Sequence, residues 1–128
     1  MLPDKTCMKV MLIEDDFTMI SLLSMLLEME GFSVIKMPEP DSGKIIATIQ
    51  HEKPSVILMD VNLSQLNGLE LLRQIREIQE LSDMHVLMSS GLDFSRECMD
   101  AGADGFIMKP YMPVDLIGKI HHVVNHTR

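Results

Sequence analysis

Residues 54–60 read PSVILMD, and this stretch decides the fold. Pro54 starts an apolar run rich in β-branched residues, which ends abruptly at Asp60. A continuous run of this length is typical of a strand that is buried on both faces, as in a parallel sheet covered by helices. We therefore predict a central buried strand with Asp60 directly after it.

Similar runs recur along the chain and alternate with helical patterns. Besides residues 55–59, strands are predicted at residues 9–13, 32–37, 85–88 and 105–108. Apolar residues at helical spacing, together with capping residues, predict helices from Phe17 to a C-terminal cap at Gly31, at 41–51, at 94–101, from the Asn67 cap onward and from Pro113 onward. Because a right-handed crossover helix joins neighbouring parallel strands, this alternation predicts a three-layer, doubly wound (βα)5 fold of the α/β class with a five-stranded parallel sheet.

Length and charge narrow the classes of function. The 128 residues suit one domain, which we place at 9–125, between an N-terminal extension at 1–8 and a C-terminal tail at 126–128. The 19 acidic and 11 basic residues give a net charge of -8, which disfavours direct binding to nucleic acid or to anionic membranes. The start of the chain has no apolar signal-peptide core, and Cys7 and Cys98 have no metal-ligand spacing, so we expect a soluble cytoplasmic protein.

Chemically useful residues follow four of the five predicted strands. Asp15 follows the first strand, Asp60 the third, Ser89 the fourth and Lys109 the fifth. Ligands of open α/β sheets bind at the carboxyl ends of the strands, so these residues should converge on one cleft. The mutual repulsion of Glu14, Asp15 and Asp60 calls for a cation, and Mg²⁺ suits a few carboxylates with retained waters. Lys109 and Ser89 could then bind the oxygens of a phosphoryl group.

In this order and spacing, these residues resemble the receiver domain of response regulators, the CheY-like family of two-component signalling. The resemblance runs from about residue 9 to residue 124, and its motifs are LIEDD at 12–16, VILMD at 56–60, NG at 67–68, Ser89, GAD at 102–104 and KP at 109–110. It implies the flavodoxin/CheY-like version of the predicted fold. It also implies a signalling switch that catalyses only its own phosphorylation and autodephosphorylation, and no metabolic enzyme.

The resemblance implies a role for each matching residue. Asp60 would be the phosphoacceptor, taking a phosphoryl group from the phosphohistidine of a sensor histidine kinase or a phosphotransfer protein. Asp15, Asp60 and the backbone carbonyl of Asn62 would bind Mg²⁺ directly, and Glu14 mainly through water. Lys109 would hold a phosphoryl oxygen that Mg²⁺ does not reach.

The resemblance also implies a switch, formed by Ser89 and Phe106. Their movement would remodel the face of helix 4, strand 5 and helix 5, which would bind a downstream effector protein or output domain. The chain would be a monomer or a phosphorylation-dependent homodimer, and its Lys109-Pro110 bond would be cis. Ser64 departs from the family, which commonly has proline in the loop after the phosphoacceptor.

Plainer explanations stand beside these roles. Asp16 could cap the first helix, Ser89 could only start a turn, and Phe106 could be an ordinary core aromatic. His122 and His126 have zinc-ligand spacing on one helix, although histidines near a helix C-terminus more often interact with its dipole.

Two rival functions also remain. One is a binding module that has kept the fold and lost phosphotransfer. The other is a Mg²⁺-dependent phosphohydrolase with an aspartyl nucleophile, although such enzymes place a DxD pair after their first strand and this sequence has none there. The sequence fits equally well a stand-alone receiver and a piece of a longer regulator or hybrid kinase.

Overall fold

The computed structural model describes residues 8–37, 39 and 41–126, except for the side chain of His126. Most of the predicted N-terminal extension and C-terminal tail lie outside these residues. Cys7 and the His126 side chain, and with the latter the zinc-ligand spacing of His122 and His126, also lie outside them. The strands of the main sheet are β1 (Lys9–Ile13), β2 (Ser33–Met37), β3 (Val56–Asp60), β4 (Val86–Ser90) and β5 (Gly105–Met108). The α-helices are α1 (Phe17–Met29), α2 (Ser42–Glu52), α3 (Gly68–Glu77), α4 (Ser95–Asp100) and α5 (Pro113–His126).

The main sheet is parallel throughout and has the strand order β2-β1-β3-β4-β5. The chain runs from β1 outward to β2, then crosses back to β3 and continues in the other direction. The strand order therefore reverses between β1 and β3, and in such sheets the crevice at this reversal is where ligands bind. The predicted doubly wound fold is confirmed.

Two apolar clusters fill the spaces on either side of the sheet. Successive residues of a strand face opposite sides, so β1 contributes Met11 and Ile13 to one cluster and Val10 and Leu12 to the other. The first cluster includes residues of α2, α3 and α4, and the second includes residues of α1 and α5. Three layers result, with the carboxyl ends of the strands at one edge.

Side-chain caps fix where two helices begin next to that edge. Asp16 Oδ1 accepts backbone N–H groups from the first turn of α1 at 2.9 and 3.2 Å, so its predicted capping role is confirmed. Asn67 Oδ1 caps α3 in the same way, at 2.9 and 3.3 Å. The carboxylate of Glu70, in the first turn of α3, lies 3.5 Å from the guanidinium of Arg73.

Several boundaries differ from the predicted ones by a residue or two. The third and fourth strands extend to Asp60 and Ser90 because Asp60 still pairs with Ser89, and Ser90 with Met108. Two short elements were not predicted, an antiparallel ladder between Asn62–Leu63 and Leu66–Asn67 and a 3-10 turn at Gln79–Leu81.

Candidate functional site

Lys109 joins two carboxylates that come from other strands. Its Nζ donates to Asp60 Oδ2 at 2.7 Å and to Glu14 Oε1 at 2.8 Å. The side chains of Lys109, Asp60 and Glu14 are 20, 12 and 8% exposed, so little solvent screens these ion pairs. Each residue lies at the carboxyl end of a different strand, and the structure brings the three together as predicted from that placement.

Burial and charge act against each other in this cluster. Burial raises the pKa of Glu14 above its usual value, although the hydrogen bond from Lys109 opposes this effect. Burial also lowers the pKa of Lys109, but its hydrogen bonds to Asp60 and Glu14 outweigh burial and the pKa is raised overall. The ammonium is therefore charged at neutral pH and serves as the counter-ion of both acids.

Asp15 lies at the same edge but faces a different partner. Its Oδ2 accepts a hydrogen bond from the backbone N–H of Ser64 at 2.6 Å. Hydrogen bonds from the side chain and backbone of Ser64 lower the pKa of Asp15 below its usual value. Proline has no N–H, so this contact depends on the departure of residue 64 from the family pattern.

The segments around Asp60 restrain its second oxygen. The backbone N–H of Asn62 donates to Asp60 Oδ1 at 3.0 Å, and the Asn62 side-chain amide lies 3.4 Å from Ser90 Oγ. Ser89 pairs with Asp60 in the sheet and is buried, and it lines a small cavity shared with Asp60 and Lys109. Both carboxylate oxygens of Asp60 are thus held.

Gly68 explains the Asn-Gly pair that the sequence placed before α3. A Cβ atom at this position would collide with the backbone carbonyl oxygen of Asp60. The N–H of Gly68 donates to the carbonyl of Val61 at 2.8 Å, which ties the start of α3 to the end of β3. The absence of a side chain at Gly68 therefore lets α3 begin against the backbone of Asp60.

Comparison with known proteins decides the family. Residues 10–121 match the model of the response regulator receiver domain. The chain belongs to this family. Over 120 residues it is 32% identical to the transcriptional regulatory protein CpxR homolog of Haemophilus influenzae. The aligned segment covers 93% of this chain and 51% of that protein. The receiver domain thus spans about half the length of that curated relative.

Solved structures agree with this assignment. The receiver domain has a TM-score of 0.81 and 29% identity to a CheY-like response regulator receiver domain protein from Methanospirillum hungatei, over 92% of this chain and 94% of that one. It also has a TM-score of 0.81 and 24% identity to the chemotaxis response regulator CheY4 of Vibrio cholerae, over 91% of this chain and 98% of that one. At this identity the likeness supports the fold alone. The predicted membership of the response-regulator receiver family and the predicted CheY-like fold are confirmed.

The family implies Mg²⁺, and the oxygen donors of this receiver domain fit it by type. Three carboxylates and a nearby backbone carbonyl lie at one sheet edge, and such hard oxygen ligands suit this ion. As they are placed, no three His, Cys, Asp or Glu side chains of the described residues are gathered closely enough to hold a metal. The contacts give the reason, since Lys109 lies between Glu14 and Asp60 while Asp15 faces Ser64.

Phe106 and the cis bond complete the predicted set. Phe106 lies on β5 opposite Met88, is partly buried and packs against the cluster beneath α2, α3 and α4. Its switching role stays a prediction. The Lys109-Pro110 bond is cis, as predicted.

Within the part of the chain that the structure describes, no helix has the length and apolar character needed to cross a bilayer.

Proposed function

We propose that this receiver domain is a Mg²⁺-dependent phosphoacceptor and that Asp60 carries the phosphoryl group. The observation that supports the proposal is the Asp60 carboxylate, held at one oxygen by Asn62 N–H and at the other by the Lys109 ammonium. A carboxylate fixed in this way, at the edge where ligands bind, is oriented for attack on an incoming phosphorus atom.

The proposed donor is the phosphohistidine of a sensor histidine kinase or a phosphotransfer protein. An Asp60 oxygen attacks the phosphorus and forms an acyl phosphate, while the bond between phosphorus and the imidazole nitrogen breaks. The electron pair of that bond stays with the imidazole, which takes up a proton. This exchange changes no metabolite, so the chain acts as a switch and catalyses only its own phosphorylation and dephosphorylation.

The neighbouring residues divide the remaining tasks. When bound, Mg²⁺ would be held by Asp15, Asp60 and the Asn62 carbonyl, with Glu14 acting through water, and would neutralise charge on the transferred group. Lys109 would exchange its contact with Asp60 for one with a phosphoryl oxygen.

On this proposal, Ser89 would donate its hydroxyl to another phosphoryl oxygen, and its movement would be coupled to Phe106. The responding surface would be the face of α4, β5 and α5. Met99 and Met108 on this face are 50 and 45% exposed, and methionines suit an adaptable contact surface. The expected partner is an effector protein or an output domain, or a second copy in a phosphorylation-dependent homodimer. The exchange would take place in the cytoplasm.

Acetyl phosphate and Mg²⁺ provide the direct test, with intact mass as the measurement. We expect one phosphoryl adduct on the wild type and on Asp83→Asn, a control at an exposed acid before β4, and none on Asp60→Asn or without Mg²⁺. An adduct that survives in Asp60→Asn would refute the assignment of the acceptor. No adduct under any condition would favour a binding module, and rapid multiple-turnover hydrolysis a phosphohydrolase.

A further inference from the structure

Tyr111 brings a buried hydroxyl close to the acidic cluster. It follows the cis Lys109-Pro110 bond, and its Oη is inaccessible to solvent and has no hydrogen-bond partner. In the described part of the chain, Ser24 Oγ on α1 is the other buried side-chain atom of this kind. Buried polar atoms normally have a partner because leaving one unpaired costs free energy, so the Tyr111 hydroxyl calls for an explanation.

The cavity beside Tyr111 provides one. Its volume is about 10 Å³, close to the roughly 10–15 Å³ that a single water needs. Glu14, Asp60, Ser89 and Lys109 line it together with Tyr111. A buried water typically makes two to four hydrogen bonds, and these five residues carry the polar groups of a lining that also includes the apolar side chains of Leu12, Ile13, Leu23 and Leu58. Ser24 does not line the cavity.

The Lys109 ammonium has a donor to spare. It carries three N–H groups, and its contacts with Asp60 and Glu14 use two of them. Burial raises the pKa of Tyr111 to about 12, so its hydroxyl keeps its proton at neutral pH and can both donate and accept.

We propose that Tyr111 is a positioning residue whose hydroxyl, through one water in this cavity, holds the Lys109 ammonium against Asp60 and Glu14. The water accepts the third N–H of Lys109 and hydrogen-bonds to Tyr111 Oη. A Lys109 held in this way keeps one orientation, which lowers the entropic cost of presenting it to a phosphoryl oxygen. The water bridge does not depend on phosphorylation, whereas its effect on the rate of phosphorylation rests on the proposed function.

Tyr111→Phe removes the oxygen and keeps the ring, and Ser24→Ala removes the other unpartnered buried hydroxyl as a matched control. Hydrogen exchange of the Lys109 ammonium is measured by NMR in the 128-residue chain labelled with ¹⁵N-lysine, with Lys109→Arg to assign the signal. Loss of one water-mediated hydrogen bond should speed exchange roughly two- to tenfold in Tyr111→Phe. Ser24→Ala should match the wild type.

Phosphorylation of the same proteins by acetyl phosphate gives the second readout. We expect a slowing of roughly two- to tenfold in Tyr111→Phe alone, with an unchanged final yield of adduct. Wild-type exchange in Tyr111→Phe would overturn the bridge. Faster exchange with an unchanged phosphorylation rate would overturn the positioning role. A wild type that takes up no phosphoryl group would refute the proposed function, and the exchange measurement would still decide on the bridge.

Discussion

Replacing Lys109 by methionine removes the charge at the centre of the site and keeps most of the aliphatic stem. Breaking a buried ion pair costs about 3–5 kcal/mol because the remaining charge loses its compensation. Here two carboxylates, Asp60 and Glu14, would face each other, but some solvent reaches them. We therefore expect a loss of about 2–3 kcal/mol in the free energy of unfolding, or about 10 °C in melting temperature for a chain of this size.

The loss of unfolding free energy in Lys109→Met should depend on pH, and the titration of Glu14 determines the direction of this dependence. Burial already raises its pKa, and Lys109→Met removes the hydrogen bond that opposes this effect. A carboxyl group whose pKa is higher in the folded than in the unfolded state destabilises the fold when ionised, and the penalty shrinks as pH falls through the folded pKa. The deficit of Lys109→Met should thus be largest at neutral pH and smaller in mildly acidic solution.

Urea unfolding at neutral and mildly acidic pH, in EDTA and followed by circular dichroism, measures both effects. Lys44→Met is the matched control, because Lys44 pairs with Glu39 at 3.1 Å but both side chains are about two-thirds exposed, at 65 and 66%. Solvent screens so exposed a pair and leaves it little net contribution to stability, so this variant should remain close to the wild type. Equal losses in the two variants, or a Lys109→Met deficit that grows on acidification, would refute the reasoning.

Three further substitutions probe other contacts of the site and its support. Gly68→Ala should cost about 1–3 kcal/mol in urea unfolding and slow phosphorylation, because its methyl group would press on the Asp60 backbone; wild-type behaviour in both would contradict this contact. Ser64→Pro removes the hydroxyl and the N–H that both lower the pKa of Asp15, so this pKa should rise towards its usual value, as followed by carboxyl ¹³C shifts. An unchanged titration would contradict the contact between Asp15 and Ser64. Arg76→Met removes the guanidinium that pairs with the buried carboxylate of Asp104, just before β5. The free energy of unfolding in urea should fall by about 2–4 kcal/mol, and a loss below that of Lys44→Met would contradict this prediction.

The strands could be predicted because their signal lies within each segment. A parallel strand buried on both faces needs an unbroken apolar run, and the runs at β1, β3 and β4 are of this kind. Strand ends were harder to predict, since Asp60 and Ser90 are polar but still belong to the ladder. The two-residue ladder after β3 is too short to produce any periodicity, so no pattern of residues predicted it.

The site could be predicted as a set of residues and not as a set of contacts. Topology places Glu14, Asp60 and Lys109 at one edge, and charge favours their pairing. The partner of Asp15 is a backbone N–H, which every residue except proline possesses, so the residue types in the sequence do not predict this contact. The resemblance marked Gly102 and Asp104 without a reason, and the structure provides one, since Arg76 donates to the Gly102 carbonyl at 2.8 Å and to Asp104 at 3.0 Å.

The charges of the site indicate which contact must change first in the proposed reaction. A single ammonium serves Glu14 and Asp60 now, so the cluster is already short of positive charge. A phosphoryl group would add about -1.5 to -2 charges at neutral pH while acyl phosphate formation neutralises only one carboxylate, so the shortage of positive charge would grow. On the proposed function, the Lys109 ammonium would be drawn from Asp60 towards the phosphoryl oxygens, and the positive charge still lacking would come from Mg²⁺ held by Asp15, Asp60 and the Asn62 carbonyl. The backbone N–H of Lys109 also donates to the carbonyl of Ser90 at 2.8 Å, so a displacement that reached the Lys109 backbone would act on the end of β4, beside Ser89.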